Sequence, residues 1–428
     1  MEKRKSNPEK IKRVLFLSAD DFKQKSIQVI RKTPEAYVNA GWDVTYVVLR
    51  DSSLKGNYYY EVPIELIGVR IIRKEVPGTK MLNAVNNKLL IAILVRVRRY
   101  LAIIYLIFYG IKYLKKEHFD VLYGYEQPGS VAAKFIKQFF GFKKTRFVTR
   151  FQGVVFVKEW LRNNLWYRKI TNFDTFYALK GPSDLCIMTN DGSCGDWVLE
   201  KVKANHKKVA FWSNGVDKFN IDTNRENELK NQYKGNNEFL FVSVSRIDDH
   251  KRVDRCIKFF NTLLSMSSDF NFHYLIVGEG AKIKECEILV ETLNLKDRVT
   301  FAGAVNQSEV PLYLSVADAF ISMYESSNVG NPLLEAIRLN KLILTLNNGG
   351  TSEWINHKNT GLIYPVDDNL DLSQVDYDLM AQEFLDLIVN QEEIVSIKEK
   401  LSIVCNNKLW TWEERFSAEL NEVGNLIC

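Results

Sequence analysis

Residues 319–336 read Ala-Phe-Ile-Ser-Met-Tyr-Glu-Ser-Ser-Asn-Val-Gly-Asn-Pro-Leu-Leu-Glu-Ala. The opening AFISM has the pattern of a short buried strand. A turn-rich loop follows, and Pro332 then supplies the preferred first residue of a helix. Strand, short loop and helix in that order form the unit of a parallel sheet covered by helices. The unit has a chemical consequence. The first N–H groups of a helix lack intrahelical partners, and the helix dipole adds partial positive charge, so an anion is favoured there. A phosphate is therefore expected near Asn328, Gly330 and Asn331. Glu335, one turn into the helix, is placed to accept hydrogen bonds from a ribose diol. The plain alternative is a capped helix with a solvated glutamate. Glu325 stands at the head of the same loop.

The alternation repeats outward from this unit. Strands are expected at 239–243, 272–277, 299–302 and 342–346, with helices from about 253 and over about 282–293. Arg246 and Lys251 follow the first of these strands on one loop, where two cations can meet a diphosphate at the C-terminal edge of a parallel sheet. Gly278 and Gly280, in VGEG after the second, give a tight turn, although Ile283 breaks the dinucleotide pattern G-x-G-x-x-G. Asn348-Gly-Gly-Thr-Ser-Glu353 marks another strand-to-helix loop. Upstream, a second series has strands at 13–17, 43–49, 121–123, 146–149 and 185–188, and a helix over 27–40 ending at Gly41. The turn-rich SNGVDKFN, residues 213–220, separates the two series. The chain is thus expected to be α/β with two Rossmann-like domains. They occupy 1–212 and 213–405, and an amphipathic tail helix lies within 406–428.

Charge divides along the same line. Residues 1–210 hold 38 basic and 19 acidic side chains, whereas 211–428 hold 20 and 33. The basic half favours an anionic partner, such as a phosphorylated substrate or an anionic membrane. No nucleic-acid motif is present, so nucleic acid is not an expected partner. The segment 89–116, LLIAILVRVRRYLAIIYLIFYGIKYLKK, is apolar yet interrupted by Arg96, Arg98 and Arg99. Neither of its apolar runs reaches the roughly 20 residues that span a bilayer. It reads as a helix lying on an anionic membrane surface or as a buried domain helix with exposed arginines. Six scattered cysteines and five scattered histidines offer no metal-ligand spacing, so no metal is expected. Asp376-Tyr-Asp378 reads as surface. The short apolar run after the basic N-terminus does not make a signal peptide. The expected location is cytoplasmic, peripheral on the inner face of the membrane if 89–116 meets lipid.

Together these residues resemble the retaining GT-B glycosyltransferases of family 4. The resemblance covers most of the C-terminal half and, more loosely, the N-terminal half. It implies two Rossmann-like domains facing each other across a cleft, with a nucleotide-sugar co-substrate on the C-terminal one and a glycan or lipid-linked acceptor on the other. Arg246 and Lys251 fall on the family's diphosphate-binding pair, and Glu335 on its ribose-binding glutamate. Gly278 and Gly280 fall on its glycine turn, and Trp410, Trp412 and Glu413 on the helix that returns to the first domain. Departures are visible. The first position of the family's Glu-x7-Glu pair is Ser327, with Glu325 two residues earlier. The common His-Gly of the acceptor domain is replaced by Gln152-Gly153. The first loop carries Lys23 and Lys25 rather than a glycine pair. The implied reaction is glycosyl transfer with retention, in surface polysaccharide or glycolipid synthesis, with Arg246, Lys251 and Gln152 as the catalytic set. A sugar-nucleotide epimerase and a non-catalytic binding relative are the alternatives.

Overall fold

The computed structural model describes residues 11–22, 28–50, 64–76, 85–189, 194–235, 238–325, 329–365 and 375–427. The chain forms two compact units. One comprises Met1–Thr189, Gly195–Trp212 and Arg415–Cys428; the other comprises Asn190–Cys194 and Ser213–Glu414.

The first unit is built, among the described residues, on seven parallel strands. They are β1 (Arg13–Ser18), β2 (Asp43–Arg50), β3 (Val69–Glu75), β4 (Val121–Tyr125), β5 (Arg146–Phe151), β6 (Leu185–Thr189) and β7 (Val209–Trp212), ordered β3-β2-β1-β4-β5-β6-β7. In β1, Leu15 lies level with Thr45 of β2 and Leu122 of β4. Interior strands are buried almost throughout because helices cover both faces, which is why they read as continuous apolar runs. Alternate residues serve opposite cores. Val14 and Phe16 join Tyr37, Tyr46 and Tyr123 on one face, while Leu15 and Leu17 join Leu106 and Ile136 on the other.

On the first of these faces lie two guanidinium groups and one carboxylate, all fully buried. Arg150 Nη1 donates to Glu419 Oε2 at 3.3 Å and Arg415 Nη1 donates to the same oxygen at 3.0 Å. Tyr123 and Tyr37 donate to Glu419 Oε1 at 2.9 and 3.3 Å. Nε and Nη2 of both arginines are buried without hydrogen-bond partners. Burial and the nearby Arg150 push the Arg415 guanidinium down to about 10. This cluster ties the last helix, Trp412–Ile427, into the first unit's core, with Val423 fully buried.

The second unit holds β8 (Phe239–Val244), β9 (Phe272–Val277), β10 (Val299–Gly303), β11 (Ala319–Ser322), β12 (Leu342–Asn347) and β13 (Leu362–Pro365), all parallel, in the order β10-β9-β8-β11-β12-β13. This is the doubly wound order, and its switch point lies between β8 and β11. Phe241, Tyr274 and Ile276 pack on one face, and Leu240, Val242 and Leu275 on the other.

Three strands, β3, β7 and β13, were not expected from the sequence. Each is the outermost of its sheet on one side, and β7 and β13 have four residues apiece. The apolar segment expected at 89–116 is one helix, Lys88–Lys116. Its 29 residues extend about 43 Å at ~1.5 Å per residue. Asn87 Oδ1 accepts from the N–H groups of Leu89 and Leu90 at 3.0 and 3.1 Å and fixes its start. No helix among the described residues is long and apolar enough to cross a membrane.

Candidate active site

The loops after β8, β9, β11 and β12 leave the C-terminal edge of the second sheet on either side of the switch point, where ligands of this topology bind. The β8 and β9 loops are zipped together through their backbones. Ser245 N–H donates to the Val277 carbonyl at 3.0 Å, Ile247 N–H to the Glu279 carbonyl at 2.9 Å, and Lys282 N–H to the Ile247 carbonyl at 3.0 Å. Only glycine permits this approach. A Cβ on Gly278, whose φ is +140°, would lie 1.8 Å from the Ser245 carbonyl oxygen, and one on Gly280 would lie 2.1 Å from that of Ile247. Both glycines therefore set the position of the loop that carries Arg246.

That loop concentrates positive charge. Arg246 Nη2 lies 3.3 Å from Asp248 Oδ2. Asp248 Oδ1 also accepts the Lys251 backbone N–H at 3.0 Å, which folds the loop back on itself. Lys251 Nζ sits 3.9 Å from the centroid of the Tyr324 ring, a cation–π contact across the switch point. Burial lowers the Lys251 pKa and the neighbouring Arg246 lowers it further, so that Asp248 offsets only part; the ammonium is pushed down to about 8. An anion received beside both cations relieves that destabilisation.

The β11 loop is clamped from the same side. Arg252, held at φ +45°, donates to Glu325 Oε2 at 2.6 Å and to Asp254 at 2.9 Å. The buried Arg255 pairs with the same Glu325 oxygen at 2.8 Å and donates to the Met323 and Tyr324 carbonyls at 3.3 and 3.4 Å. Glu325 is thus engaged by two arginines of the loop and helix that follow β8. Ser327 and Asn328 lie outside the described residues. Beyond them, Gly330 precedes the helix Asn331–Arg338, whose N-terminus carries no side-chain cap among the described residues. Asn331 Oδ1 accepts from Asn214 Nδ2 at 2.9 Å, which ties the NGVD segment to this helix start. Glu335 is buried, one turn in. From β12, Asn348 Nδ2 donates to the Tyr324 carbonyl at 2.6 Å.

In the first unit, Gln152 follows β5. Its backbone N–H donates to Glu126 Oε1 and its Nε2 to the Tyr125 hydroxyl, both at 2.8 Å, and Thr189 Oγ1 donates to its Oε1 at 3.3 Å. Burial raises the Tyr125 phenol well above its ordinary range. Glu126 adopts φ +57°, an uncommon conformation for a non-glycine residue. The ends of β4, β5 and β6 are thereby drawn to one corner. Gln127 donates from there to the buried Asp174, which also pairs with Arg99 at 2.7 Å. Lys23 and Lys25 lie outside the described residues.

No group of three or more His, Cys, Asp or Glu side chains suited to a metal occurs among the described residues. Asp376 caps the helix Tyr377–Ile388, accepting the Leu379 N–H at 2.9 Å.

The sequence reading missed the roles of Arg252, Arg255, Tyr324 and Asn214. Arg252 and Arg255 stand three apart at the start of one helix, which places them on one face. Their common target, Glu325, is 73 residues beyond Arg252, and no local pattern joins them.

Residues 224–381 match the family model of glycosyl transferases group 1. The chain is 25% identical over 291 residues to N-acetyl-alpha-D-glucosaminyl L-malate synthase of Bacillus anthracis, covering 67% of this chain and 72% of that one. It is 27% identical over 156 residues to the GDP-mannose-dependent alpha-(1-6)-phosphatidylinositol monomannoside mannosyltransferase of Mycobacterium tuberculosis, covering 35% of this chain and 40% of the relative. Its fold is similar to that of sucrose-phosphate synthase from Thermosynechococcus elongatus, with a TM-score of 0.73 at 16% identity over 97% of this chain and 99% of that one.

Proposed function

From the premise that this chain is a glycosyltransferase of group 1 with two Rossmann-like units of GT-B type, we propose that it moves a sugar from a nucleotide-sugar donor to a glycan or lipid-linked acceptor, with retention of anomeric configuration. The observation that carries this reading is the Arg246–Lys251 loop at the switch point of the second unit. It stands among the same loops as the N-terminus of the helix Asn331–Arg338 and the buried Glu335.

The donor diphosphate binds to Arg246, Lys251 and the N–H groups of the helix Asn331–Arg338, with Glu335 on the ribose. As the bond from the anomeric carbon to the diphosphate oxygen breaks, negative charge grows on that oxygen. The two cations and the helix terminus stabilise it. The acceptor hydroxyl forms the new bond on the face that the leaving group vacates, and its proton passes to the departing phosphate. Gln152 positions the acceptor side by donating a hydrogen bond, since a carboxamide is no base at neutral pH. The cation pair supplies the charge that a divalent ion would otherwise bring, so the reaction runs without metal and EDTA leaves the rate unchanged. The mycobacterial relative's name specifies a nucleotide-sugar donor and a lipid acceptor, and it supports both choices here. We place the enzyme at the cytoplasmic face of an anionic membrane, in surface polysaccharide or glycolipid synthesis.

Thermal unfolding with UDP, GDP, ADP and dTDP tests the donor site. One diphosphate at a hundred times its dissociation constant adds ~2.7 kcal/mol. The shift disappears in Arg246→Ala and falls in Glu335→Gln. No shift with any of the four, or one that survives Arg246→Ala, removes the basis of the proposal. Product formed from donor without any acceptor points instead to an epimerase.

A further inference from the structure

The helix Lys88–Lys116 turns an apolar stripe to solvent. Leu89, Ile93, Val97, Ile104 and Phe108 are all exposed, and their spacings of four and seven residues put them on one face. A second apolar surface comes from two short helices that the sequence did not single out, Val155–Arg162 and Trp166–Thr171. There Trp166 is 67% exposed, Ile170 65% and Phe156 55%. Large side chains left in water on elements that share a core make a patch rather than isolated residues. The long helix reaches them through the next helix, Phe173–Lys180, which packs on Trp166–Thr171. Tyr100 of the long helix stacks on Phe173 with ring centroids 5.7 Å apart, and Arg99 pairs with Asp174 at 2.7 Å. Ile103 and Val157 share one core cluster.

Charge selects the occupant. Residues 88–116 contain seven basic side chains and no acidic one, and residues 155–171 contain four basic and one acidic. Arg96, Arg162 and Lys169 are exposed. A protein partner offering an apolar surface needs no such excess. An anionic lipid bilayer needs both parts: apolar side chains that enter the acyl boundary and cations that meet the headgroups. Tryptophan with arginine and lysine is also the composition found at membrane interfaces.

We propose that the exposed stripe of Lys88–Lys116 and the Phe156–Ile170 surface form one docking face for an anionic bilayer. This rests on the reading of the chain as a transferase with a lipid-linked acceptor and extends it. The docking face is linked to the acceptor-side corner through one carboxylate, because Asp174 receives both Arg99 of the long helix and Gln127, the neighbour of Glu126. An acceptor anchored in the bilayer is thus met by the unit that docks.

The test is flotation of the full-length protein, without donor, on vesicles of phosphatidylcholine alone and of phosphatidylcholine with phosphatidylglycerol. Wild type floats with the anionic vesicles, and high salt weakens this. The double variant Trp166→Ser/Ile170→Ser loses roughly tenfold or more in partitioning, and Arg168→Glu/Lys169→Glu loses the preference for anionic lipid. Thermal stabilisation by nucleoside diphosphate is unchanged in both variants, so a failure of docking is distinguished from a failure of the donor site. Wild type that ignores anionic vesicles, or a double variant that floats like wild type, overturns the proposal. So does a dimer in light scattering that the same double variant dissolves, since the occupant is then a second copy.

Discussion

Lys251 carries the most direct consequence of pH. Its pKa of about 8 in the free protein is below that of lysine in an unfolded chain, ~10.4. The charged form is disfavoured by the fold, so this residue opposes folding below pH 8, and the opposition fades as pH rises toward 10. Binding a diphosphate works in the opposite sense, because the anion favours the ammonium. The contribution of Lys251 to diphosphate affinity is therefore flat up to about pH 7 and falls, by at most tenfold per unit, as pH rises through 8. Titration calorimetry between pH 6.5 and 9.5 measures this, and Lys251→Arg, charged throughout, gives a flat profile. The glycines separate just as clearly. Gly280→Ala puts a Cβ 2.1 Å from a backbone oxygen and displaces the loop that carries Arg246; urea unfolding should show a loss of about 2–3 kcal/mol, with diphosphate stabilisation gone. Gly330→Ala, at φ −67° and with its nearest neighbour 3.6 Å away, should lie within about 0.5 kcal/mol of wild type.

Among the elements, interior strands were legible because two covered faces demand apolar residues at every position. β1, β8, β9 and β12 all announce themselves in this way. The edge strand β3 was hidden for the converse reason. In β3, VRIIRKE, only Val69 is buried, so charge replaces the pattern that marks its neighbours. The long helix was partly legible. Its arginines looked like interruptions, yet their long stems let charged heads leave an apolar helix, and Arg99 finds Asp174. In the proposed donor site, the cation loop and the helix start were visible as local patterns. The clamp of Arg252 and Arg255 on Glu325 was not, since folding alone brings its parts together. That clamp yields a prediction at this scale. Arg255 holds two loop carbonyls and a carboxylate, and so acts by positioning the β11 loop. Arg255→Leu should raise the donor KM more than it lowers kcat in steady-state kinetics, with a stability loss of about 1–3 kcal/mol from the two loop carbonyls left without this donor, Glu325 keeping Arg252. Arg255→Lys should restore part of the stability and less of the KM, because only guanidinium reaches several acceptors in a fixed fork.

The first unit is held by a charged cluster buried in its core. Glu419 is shared between Arg150 and Arg415 with no solvent access. Glu419→Gln leaves two buried guanidinium groups facing each other without a counter-charge. Guanidinium chloride unfolding should show a loss of about 3–5 kcal/mol in the first unit, whereas the diphosphate shift of the second unit persists. If the two units lose stability equally, the cluster is not confined to the unit in which it sits.

The same cluster sets an order of events during translation. Domains generally fold as they emerge, the N-terminal one first. Here Arg415 and Glu419 belong to the core of the first unit, but they leave the ribosome after the whole of the second unit. The first half of the nascent chain therefore waits with Arg150 lacking its carboxylate until residue 419 has emerged, and the unit that is made later is the first able to finish folding.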